Sequence, residues 1–233
     1  MTKPNGIHHL AVSTGNMKAQ IEFFTDVLGM ELVALYWMHG VEDAWHGFLK
    51  LNDDCSLAVV YVPGNENIPS EIGVSHSGSG AGPSAPGTTQ HIAFNVSTME
   101  ELLNMRDRVR SRGINITGPI RHGLCQSIYF FGLEDLTLEI ATNDTAEHPL
   151  DSNHTWIDLE VTALAGISAE DLERYTNPPA YEGQGGAVPQ PPYDENMPHP
   201  KGDAIPLEMY KMGLLAPDEA IAEAMNETTP PNL

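Results

Sequence analysis

The stretch GIHHLAVST at residues 6–14 returns, in related form, as QHIAFNV at residues 90–96. Each stretch alternates large apolar residues with small or polar ones, which is typical of a β-strand with one buried face. Each is followed by a helical segment that ends at a glycine, Gly29 or Gly113, and then by three more strand-like segments. An internal repeat of this kind predicts two similar structural units.

The segments of the two units correspond in order. The first helix is predicted in NMKAQIEFFTDVLGM, where Ile21, Phe24 and Val27 or Leu28 share one face. The start of the second helix is predicted from a capping box of Ser97 and Glu100. The strands that follow the helices are predicted at 31–38, 44–51 and 56–62, and again at 114–120, 127–131 and 136–142. The sequence therefore predicts an α+β fold of paired βαβββ modules.

The rest of the chain divides around these modules. The predicted divisions are a first module at 1–62, a Gly/Ser/Pro-rich linker at 63–89, a second module at 90–142 and an extension at 143–233. The linker is either a mobile arm or lid, or a disordered segment. The extension is Pro-rich and acidic, with helical patches at 168–175, 206–212 and 216–225. We expect it to wrap the modules or contact a second subunit, a disordered tail being the alternative.

Charge and composition exclude several classes of function. The formal net charge is -21, from 11 Lys and Arg against 32 Asp and Glu, which argues against binding to nucleic acid or an anionic membrane. No apolar run approaches the roughly 20 residues of a membrane-spanning helix, and the N-terminus has no signal-peptide core. Cys55 and Cys125 lie far apart and are expected to be reduced thiols, so we expect a cytoplasmic protein.

The carboxylate of Glu139 stands in the middle of the strand-like stretch DLTLEIAT, residues 135–142. Period-two alternation places Leu138 and Ile140 on one face of this predicted strand and Glu139 on the other. A charged carboxylate within an apolar strand is costly unless a partner compensates it, and no cation lies near it in sequence. Either the strand is at an edge with that face in water, or Glu139 binds a metal ion.

The two first strands supply candidate partners for Glu139. Because the helix of each module covers the face with the large apolar residues, His9 and Ala11 are predicted on the opposite face of one module, and His91 and Ala93 on that of the other. A lone strand histidine is more often structural than a ligand, and the remaining histidines, including His46, are read as surface or loop residues. The duplicated placement beside Glu139 favours a metal site instead. Two histidines and one carboxylate form the facial triad of Fe(II) oxygenases, although imidazole also suits Mn, Zn and Ni.

The paired βαβββ modules resemble the vicinal oxygen chelate superfamily (glyoxalase, bleomycin resistance, dioxygenase) over about residues 6–142. That resemblance implies an open, cup-shaped mixed sheet around a metal. The segment GPIRHGLCQSIYFFGLEDLTLEI, residues 118–140, further resembles type I extradiol ring-cleaving dioxygenases. In those enzymes a histidine beside the metal site precedes a tyrosine, and the glutamate ligand lies ten residues after the tyrosine. The matching residues are His122, Tyr129 and Glu139.

The extradiol resemblance implies an Fe(II) enzyme, with Mn(II) as the alternative, that cleaves a catecholic ring with O₂. It implies that His122 or Tyr129 binds the substrate oxygens and moves protons. Further substrate contacts are expected from Arg121 and Phe131, and a homodimer or larger homo-oligomer is expected. The cup is expected to be lined by Trp37, Trp45, Phe131 and Tyr129. Taken alone, Tyr129 could also be a core tyrosine, His122 a loop histidine and Arg121 a solvated surface arginine.

The sequence departs from the extradiol pattern at three points and leaves three rival functions open. No histidine stands near Cys55 and Ser56, the turn before Glu139 reads GLED, and His122 lies two residues closer to Tyr129 than expected. An isomerase, lyase or thiol transferase with Mn, Ni or Zn is one rival, disfavoured because Ala58 occupies the place of a fourth ligand. The others are a metal-free small-molecule binding protein and a non-catalytic interaction protein that works through its extension.

Overall fold

The structure is a computed structural model that describes residues 3–38, 41–151, 153–183, 185–189, 191 and 229–232. The first module consists of β1 (His9–Ser13), α1 (Met17–Glu22), β2 (Glu31–Trp37), β3 (Trp45–Lys50) and β4 (Ser56–Tyr61). The second consists of β5 (Ile92–Asn95), α2 (Met99–Ser111), β6 (Thr117–Arg121), β7 (Gln126–Phe131) and β8 (Thr137–Thr142). The predicted α+β fold of paired βαβββ modules is confirmed.

Each module forms its own four-stranded mixed sheet, in the orders β1-β4-β3-β2 and β5-β8-β7-β6. The first strand of each module runs parallel to the last, and the other neighbours are antiparallel. A parallel pair needs a long crossover, and the helix with the two intervening strands supplies it. The repeat in sequence is therefore a repeat in topology.

The helices begin and end close to their predicted bounds. α1 continues into a π-helical turn at Phe23–Val27, and the turn ends before Gly29, whose φ of +77° suits glycine. The predicted capping box of Ser97 and Glu100 is wrong by one residue. Thr98 caps α2 and exchanges hydrogen bonds with Glu101, since STMEE offers the same spacing twice. β6 also begins later than predicted, at Thr117.

The helix-covered faces of both sheets contribute to one continuous hydrophobic core. Val12, Phe24 and Leu57 of the first module lie in the same cluster as Leu102 and Leu138 of the second. As predicted, the large apolar residues of β1 and β5 turn toward this core, while His9 and Ala93 are exposed. The opposite face of each sheet therefore points away from the shared core.

Several polar contacts join the modules. Arg108 on α2 donates to the main-chain oxygens of Thr25, Asp26 and Val27, at the end of the first module's helical segment. Its guanidinium thus supplies donors to main-chain oxygens in the last turn of that segment, where carbonyls run out of helical partners. Arg112 pairs with Asp26 over 2.8 Å, and Glu134, in the turn before β8, accepts hydrogen bonds from the first module.

The linker is ordered by its own contacts. It contains a 3-10 turn at Asn65–Asn67 and an isolated bridge between Ile72 and His76. The Ser70 hydroxyl donates to Asp135, in the turn before β8, and the Ser77 hydroxyl donates to the main-chain oxygen of Gln90 over 2.7 Å. These bonds attach the linker to the second module at several points.

The first part of the extension packs against the second module. Trp156 packs on Gly123, in the turn between β6 and β7, and its indole nitrogen donates to the His148 carbonyl over 2.8 Å. Two helices follow, α3 (Leu159–Leu164) and α4 (Ala169–Thr176); α4 matches the predicted patch at 168–175. The predicted patches at 206–212 and 216–225 lie outside the described residues.

The described chain divides into two compact units. One contains residues 4–38 and 43–178, and with them both modules. The other contains the remaining described residues, at the N-terminus, at 41–42 and from 179 onward. Within the described part of the chain, no helix has both the length and the apolar character that crossing a bilayer requires.

Candidate metal and substrate site

The second module carries a polar cluster on the sheet face that points away from the core. We call this cluster the second open face, and it consists of His91, His122, Tyr129 and Glu139. The strand register places Ala93 opposite Glu139 and Glu139 opposite Tyr129, so these three side chains share one face. Ile128 and Phe130 point the other way and are buried in the core. The small Ala93 leaves room beside Glu139.

His91 and Glu139 contact each other directly. His91 Nε2 lies 2.9 Å from Glu139 Oε2, and the Glu139 side chain is only 7% exposed against 32% for His91. A buried carboxylate needs compensation, which an imidazolium or a metal cation supplies. The unpaired carboxylate noted in the sequence therefore meets one of its two predicted histidine partners.

Tyr129 and His122 form a second pair on the same face. The Tyr129 hydroxyl lies 3.0 Å from His122 Nε2, and the Tyr129 and His91 rings lie edge to face with centroids 6.4 Å apart. Burial raises the pKa of the Tyr129 phenol, and the charge of Glu139 raises it further. The hydroxyl is thus held in its neutral form, able both to donate and to accept a proton in a hydrogen bond.

Phe131 and Arg121, the other two predicted substrate contacts, lie on opposite faces of the sheet. Phe131 lies opposite Thr137, on the same face as Tyr129, and is 55% exposed. Arg121 lies opposite Gln126. Since Gln126 and Tyr129 are an odd number of residues apart, Arg121 points to the other face of the sheet. The structure therefore brings Phe131 to the site and does not bring Arg121 there.

The first module carries an aromatic cluster on its own outward face. We call this cluster the first open face, and it consists of His9, Tyr36, His46 and Phe48. Phe48 is at the centre, with ring centroids 5.6 Å from His9, 5.7 Å from His46 and 6.2 Å from Tyr36, which it stacks on. Burial lowers the pKa of His46, and His9 lowers it further.

Sequence reasoning did not identify Tyr36, His46 or Phe48 as candidates. The spacing of His46 and Phe48 in β3 could have identified them, because residues two positions apart in a strand share a face. Trp37 and Trp45 were expected in the cup instead, and this expectation is wrong. Trp45 shares its face with Gly47, whose missing side chain accommodates Met17 and Ile21 of the first module's helical segment. Both tryptophans therefore lie on the helix-covered side, stacked at 5.4 Å.

The three predicted metal ligands are not assembled within one chain. Among the described residues, no group of three or more His, Cys, Asp or Glu side chains is close enough to hold a metal ion. His91 and Glu139 are together, whereas His9 lies in the other sheet, with its ring against His8 and Phe48. The structure therefore does not bring His9 to His91 and Glu139 within the described part of one chain, because the two open faces point away from their common core.

The register also locates the first module's equivalent of Glu139. Ala11 pairs with Ala58 across β1 and β4, as Ala93 pairs with Glu139 across β5 and β8. Ala58 is fully buried and has no ligand atom. The first module can therefore offer His9 but no carboxylate at this position.

A cavity of about 760 Å³ lies beside His91. Its walls come from the end of β1, the linker and the turn before β8, and they include Ser75, His76, Gln90, His91 and Thr137. It reaches His91 but not Glu139 or Tyr129. Its volume lies within the range of small-molecule sites, so the space beside His91 is large enough for a compact ligand.

Comparison with known proteins places the chain in a family. The model of the glyoxalase/bleomycin resistance protein/dioxygenase superfamily matches residues 6–159. A biphenyl-2,3-diol 1,2-dioxygenase from Rhodococcus globerulus is 22% identical over 160 residues, which cover 66% of this chain and 73% of that enzyme.

Two solved structures illustrate the range of similar folds. A glyoxylase/bleomycin resistance protein/dioxygenase domain from Frankia sp. EAN1pec is 13% identical, with a TM-score of 0.49 over 60% of this chain and 99% of that one. A fosfomycin resistance protein from Listeria monocytogenes is 16% identical, with a TM-score of 0.44 over 62% of this chain and 98% of that one.

Proposed function

Because the chain belongs to the glyoxalase/bleomycin resistance protein/dioxygenase superfamily, we propose that it is a non-haem Fe(II) dioxygenase that cleaves a catecholic ring with O₂. The observation that carries the proposal is the second open face, where the His91–Glu139 pair lies beside the Tyr129–His122 pair. The similarity to a dioxygenase of a dihydroxylated aromatic compound supports the same reaction class.

The donor atoms of the second open face fit a divalent transition metal. An imidazole nitrogen and a carboxylate oxygen, 2.9 Å apart, form two thirds of a 2-His-1-carboxylate set, with His9 as the third ligand. The same donors accept Mn(II), which is the alternative metal. When bound, such a metal supplies Lewis-acid activation of the phenolic oxygens and open positions for substrate and O₂.

The residues around the metal position bind and orient the substrate. Tyr129 and His122 lie within hydrogen-bonding distance of each other, so a proton released from a catechol hydroxyl can be held between them. Phe48 and Tyr36, stacked on the first open face, offer a flat apolar surface for an aromatic ring. Phe131, exposed beside Tyr129, offers another.

We propose that a second copy of the chain completes the site. Both sheets turn their helix-covered faces to one core, so the first and second open faces of one chain point away from each other. In a two-fold symmetric dimer, the first open face of one subunit can meet the second open face of its partner. The arrangement adds His9 from one chain to His91 and Glu139 from the other.

The register at Ala58 argues against the rival reactions that need four protein ligands. A site built from both modules would take its fourth ligand from the position that matches Glu139. Because Ala58 has no ligand atom, a metal held by His9, His91 and Glu139 would keep a position for substrate, which suits a dioxygenase.

Oxygen uptake by anaerobically purified, Fe(II)-reconstituted protein tests the proposed reaction. The substrate panel is a set of catechols and hydroquinones, with absorbance of the ring-cleavage product as a second readout. We expect stoichiometric uptake and product with at least one catechol, and loss of both in Glu139→Gln together with loss of tightly held iron. Full activity in Glu139→Gln would overturn the ligand assignment. A protein that holds iron and consumes no oxygen with any catechol would overturn the ring-cleavage proposal.

A further inference from the structure

The side chain of Gln90 lies between His91 and the linker. Its Oε1 is hydrogen-bonded to His91 Nδ1. Its Nε2 donates to the main-chain oxygen of Ser79 over 3.1 Å and to that of Gly82 over 3.5 Å. One amide group thus contacts both a candidate metal ligand and the loop that precedes the second module.

These contacts fix the direction of each hydrogen bond. Main-chain oxygens only accept, so the amide nitrogen of Gln90 must face Ser79 and Gly82. Its oxygen therefore faces His91, and since that oxygen also only accepts, His91 Nδ1 must carry the hydrogen. In the neutral ring the lone pair is then on Nε2, the atom 2.9 Å from Glu139 Oε2.

The neighbouring carboxylate alone would favour the opposite tautomer. Glu139 Oε2 is a strong acceptor, and a neutral imidazole facing it would place its hydrogen on Nε2 and donate it. That hydrogen would occupy the nitrogen that a metal needs. Gln90 opposes this outcome by offering an acceptor to Nδ1, which leaves Nε2 available to a cation shared with Glu139.

We infer that Gln90 is a positioning residue that holds His91 in the Nδ1–H form. Because the same amide group donates to the linker loop at Ser79–Gly82, this tautomer depends on the loop being bound to Gln90. The loop covers the site as well as contacting Gln90. A β-carbon at Gly80 would lie 3.5 Å from Cε1 of Tyr129, so the loop backbone runs directly beside that ring. The effect on metal affinity rests on the proposed function, whereas the tautomer does not.

Two variants separate the two contacts of Gln90. Gln90→Glu keeps an acceptor oxygen for His91 Nδ1 but loses the amide donor to the loop. Gln90→Met has a similar shape and removes both contacts. Because Gln90 is only half-buried, both variants are expected to fold, which the dispersion of the amide spectrum checks.

The first measurement locates the hydrogen on the His91 ring, by ¹⁵N NMR of metal-free protein in mildly alkaline buffer. The His91 signals are assigned as those missing from His91→Asn. We expect a hydrogen on Nδ1 in the native protein and in Gln90→Glu, and none in Gln90→Met. A hydrogen that stays on Nδ1 in Gln90→Met would overturn the inference.

Amide hydrogen exchange tests the link to the loop. We expect faster exchange at residues 79–82 in both Gln90 variants than in the native protein, because both lose the amide donor to the Ser79 and Gly82 carbonyls. Unchanged exchange in both variants would overturn the proposed tie between tautomer and loop.

Metal binding separates this inference from the proposed function. Titration with Mn(II) alone should show affinity about tenfold to a hundredfold weaker in Gln90→Met than in Gln90→Glu. Equal affinities would overturn the role of Gln90 at the metal position. If the native protein binds neither Mn(II) nor Fe(II), the proposed function fails, and the Nδ1 measurement alone decides the inference about Gln90.

Discussion

At the scale of single residues, Tyr129 links the electrostatics of the second open face to its chemistry. Its hydroxyl faces His122, and its ring lies beside both His91 and the linker loop. Burial and the charge of Glu139 both disfavour the phenolate, so the pKa of Tyr129 lies above its ordinary value in the folded protein. A neutral tyrosine can orient a substrate oxygen without adding negative charge beside Glu139.

The raised pKa of Tyr129 predicts a pH dependence of stability. The folded state keeps the phenol proton at pH values where the unfolded chain releases it. The stabilisation is therefore complete below about pH 10 and is lost as the pH rises through the native pKa. Between about pH 9 and 11, the free energy of unfolding of metal-free protein in urea should fall less steeply in Tyr129→Phe than in the native protein.

The matched control for that measurement is Tyr175→Phe, which removes an exposed tyrosine of the same unit. We expect this control to follow the slope of the native protein. Equal slopes for Tyr129→Phe and the native protein would show that the folded environment does not shift the Tyr129 pKa.

At the scale of elements, two glycines with the same backbone angle offer a comparison. Gly29 and Gly113 each end a helical segment with a φ of +77°. At Gly113 an added β-carbon meets nothing within 4 Å, whereas at Gly29 it would lie 2.8 Å from Nη1 of Arg108. Arg108 is the residue that satisfies the carbonyls at the end of the first helical segment.

Replacement of each glycine by alanine should therefore have unequal costs. The left-handed backbone alone costs about 1–2 kcal/mol of unfolding free energy at either position. Gly29→Ala should cost about 1 kcal/mol more, because the Arg108 guanidinium must move and loses hydrogen bonds to main-chain oxygens. Denaturant unfolding of the two variants measures the difference. Equal costs would mean that Arg108 adjusts without losing those bonds.

Strand parity explains which site residues could be predicted from the sequence. Parity within β5, β7 and β8 correctly assigned Ala93, Tyr129 and Glu139 to one face, because these strands pair without interruption. β2 and β6 each carry an irregularity, between Leu32 and Ala34 and between Thr117 and Ile120. An extra residue reverses the faces beyond it, so alternation alone could not place Trp37 or Arg121.

The turn before β8 shows a second limit of the sequence. GLED departs from the turn expected by resemblance, and its residues Glu134 and Asp135 both have positive φ. The structure gives the departure a reason, since Glu134 bonds to the first module and Asp135 to Ser70 of the linker. These partners are 65 or more residues away in sequence, so local patterns carry no signal for them.

At the scale of the whole molecule, Glu134 of the second module is hydrogen-bonded to three residues of the first. Its Oε1 accepts from the Gly15 amide over 2.7 Å and the Thr14 hydroxyl over 3.1 Å, and its Oε2 accepts from Gln20 Nε2 over 2.7 Å. Gln20 is fully buried, and its own Oε1 has no partner among the described residues. Removal of the carboxylate would leave the buried amide with no partner for its nitrogen.

Two substitutions at Glu134 should therefore differ in their effect on stability. Glu134→Ala is expected to lower the free energy of unfolding by about 2 kcal/mol, the cost of a buried donor left without its charged acceptor. Glu134→Gln should cost about 1 kcal/mol less than Glu134→Ala, because its oxygen still accepts from Gly15 and Thr14, and its nitrogen can donate to the Gln20 oxygen once the Gln20 amide rotates. Urea unfolding compares the two variants. Equal losses would contradict the role assigned to Gln20.

The completion of the site by a second copy makes a prediction about mixed subunits. His9→Ala and Glu139→Ala homodimers each lack one ligand at both sites, so neither should hold Fe(II) or consume oxygen. After subunit exchange, half of the dimers are mixed and one of their two sites is intact, which restores about a quarter of the native activity. His91→Ala mixed with Glu139→Ala is the control and should restore nothing, because both ligands come from the same module. Mixed dimers seen by mass spectrometry without restored activity would contradict the shared site.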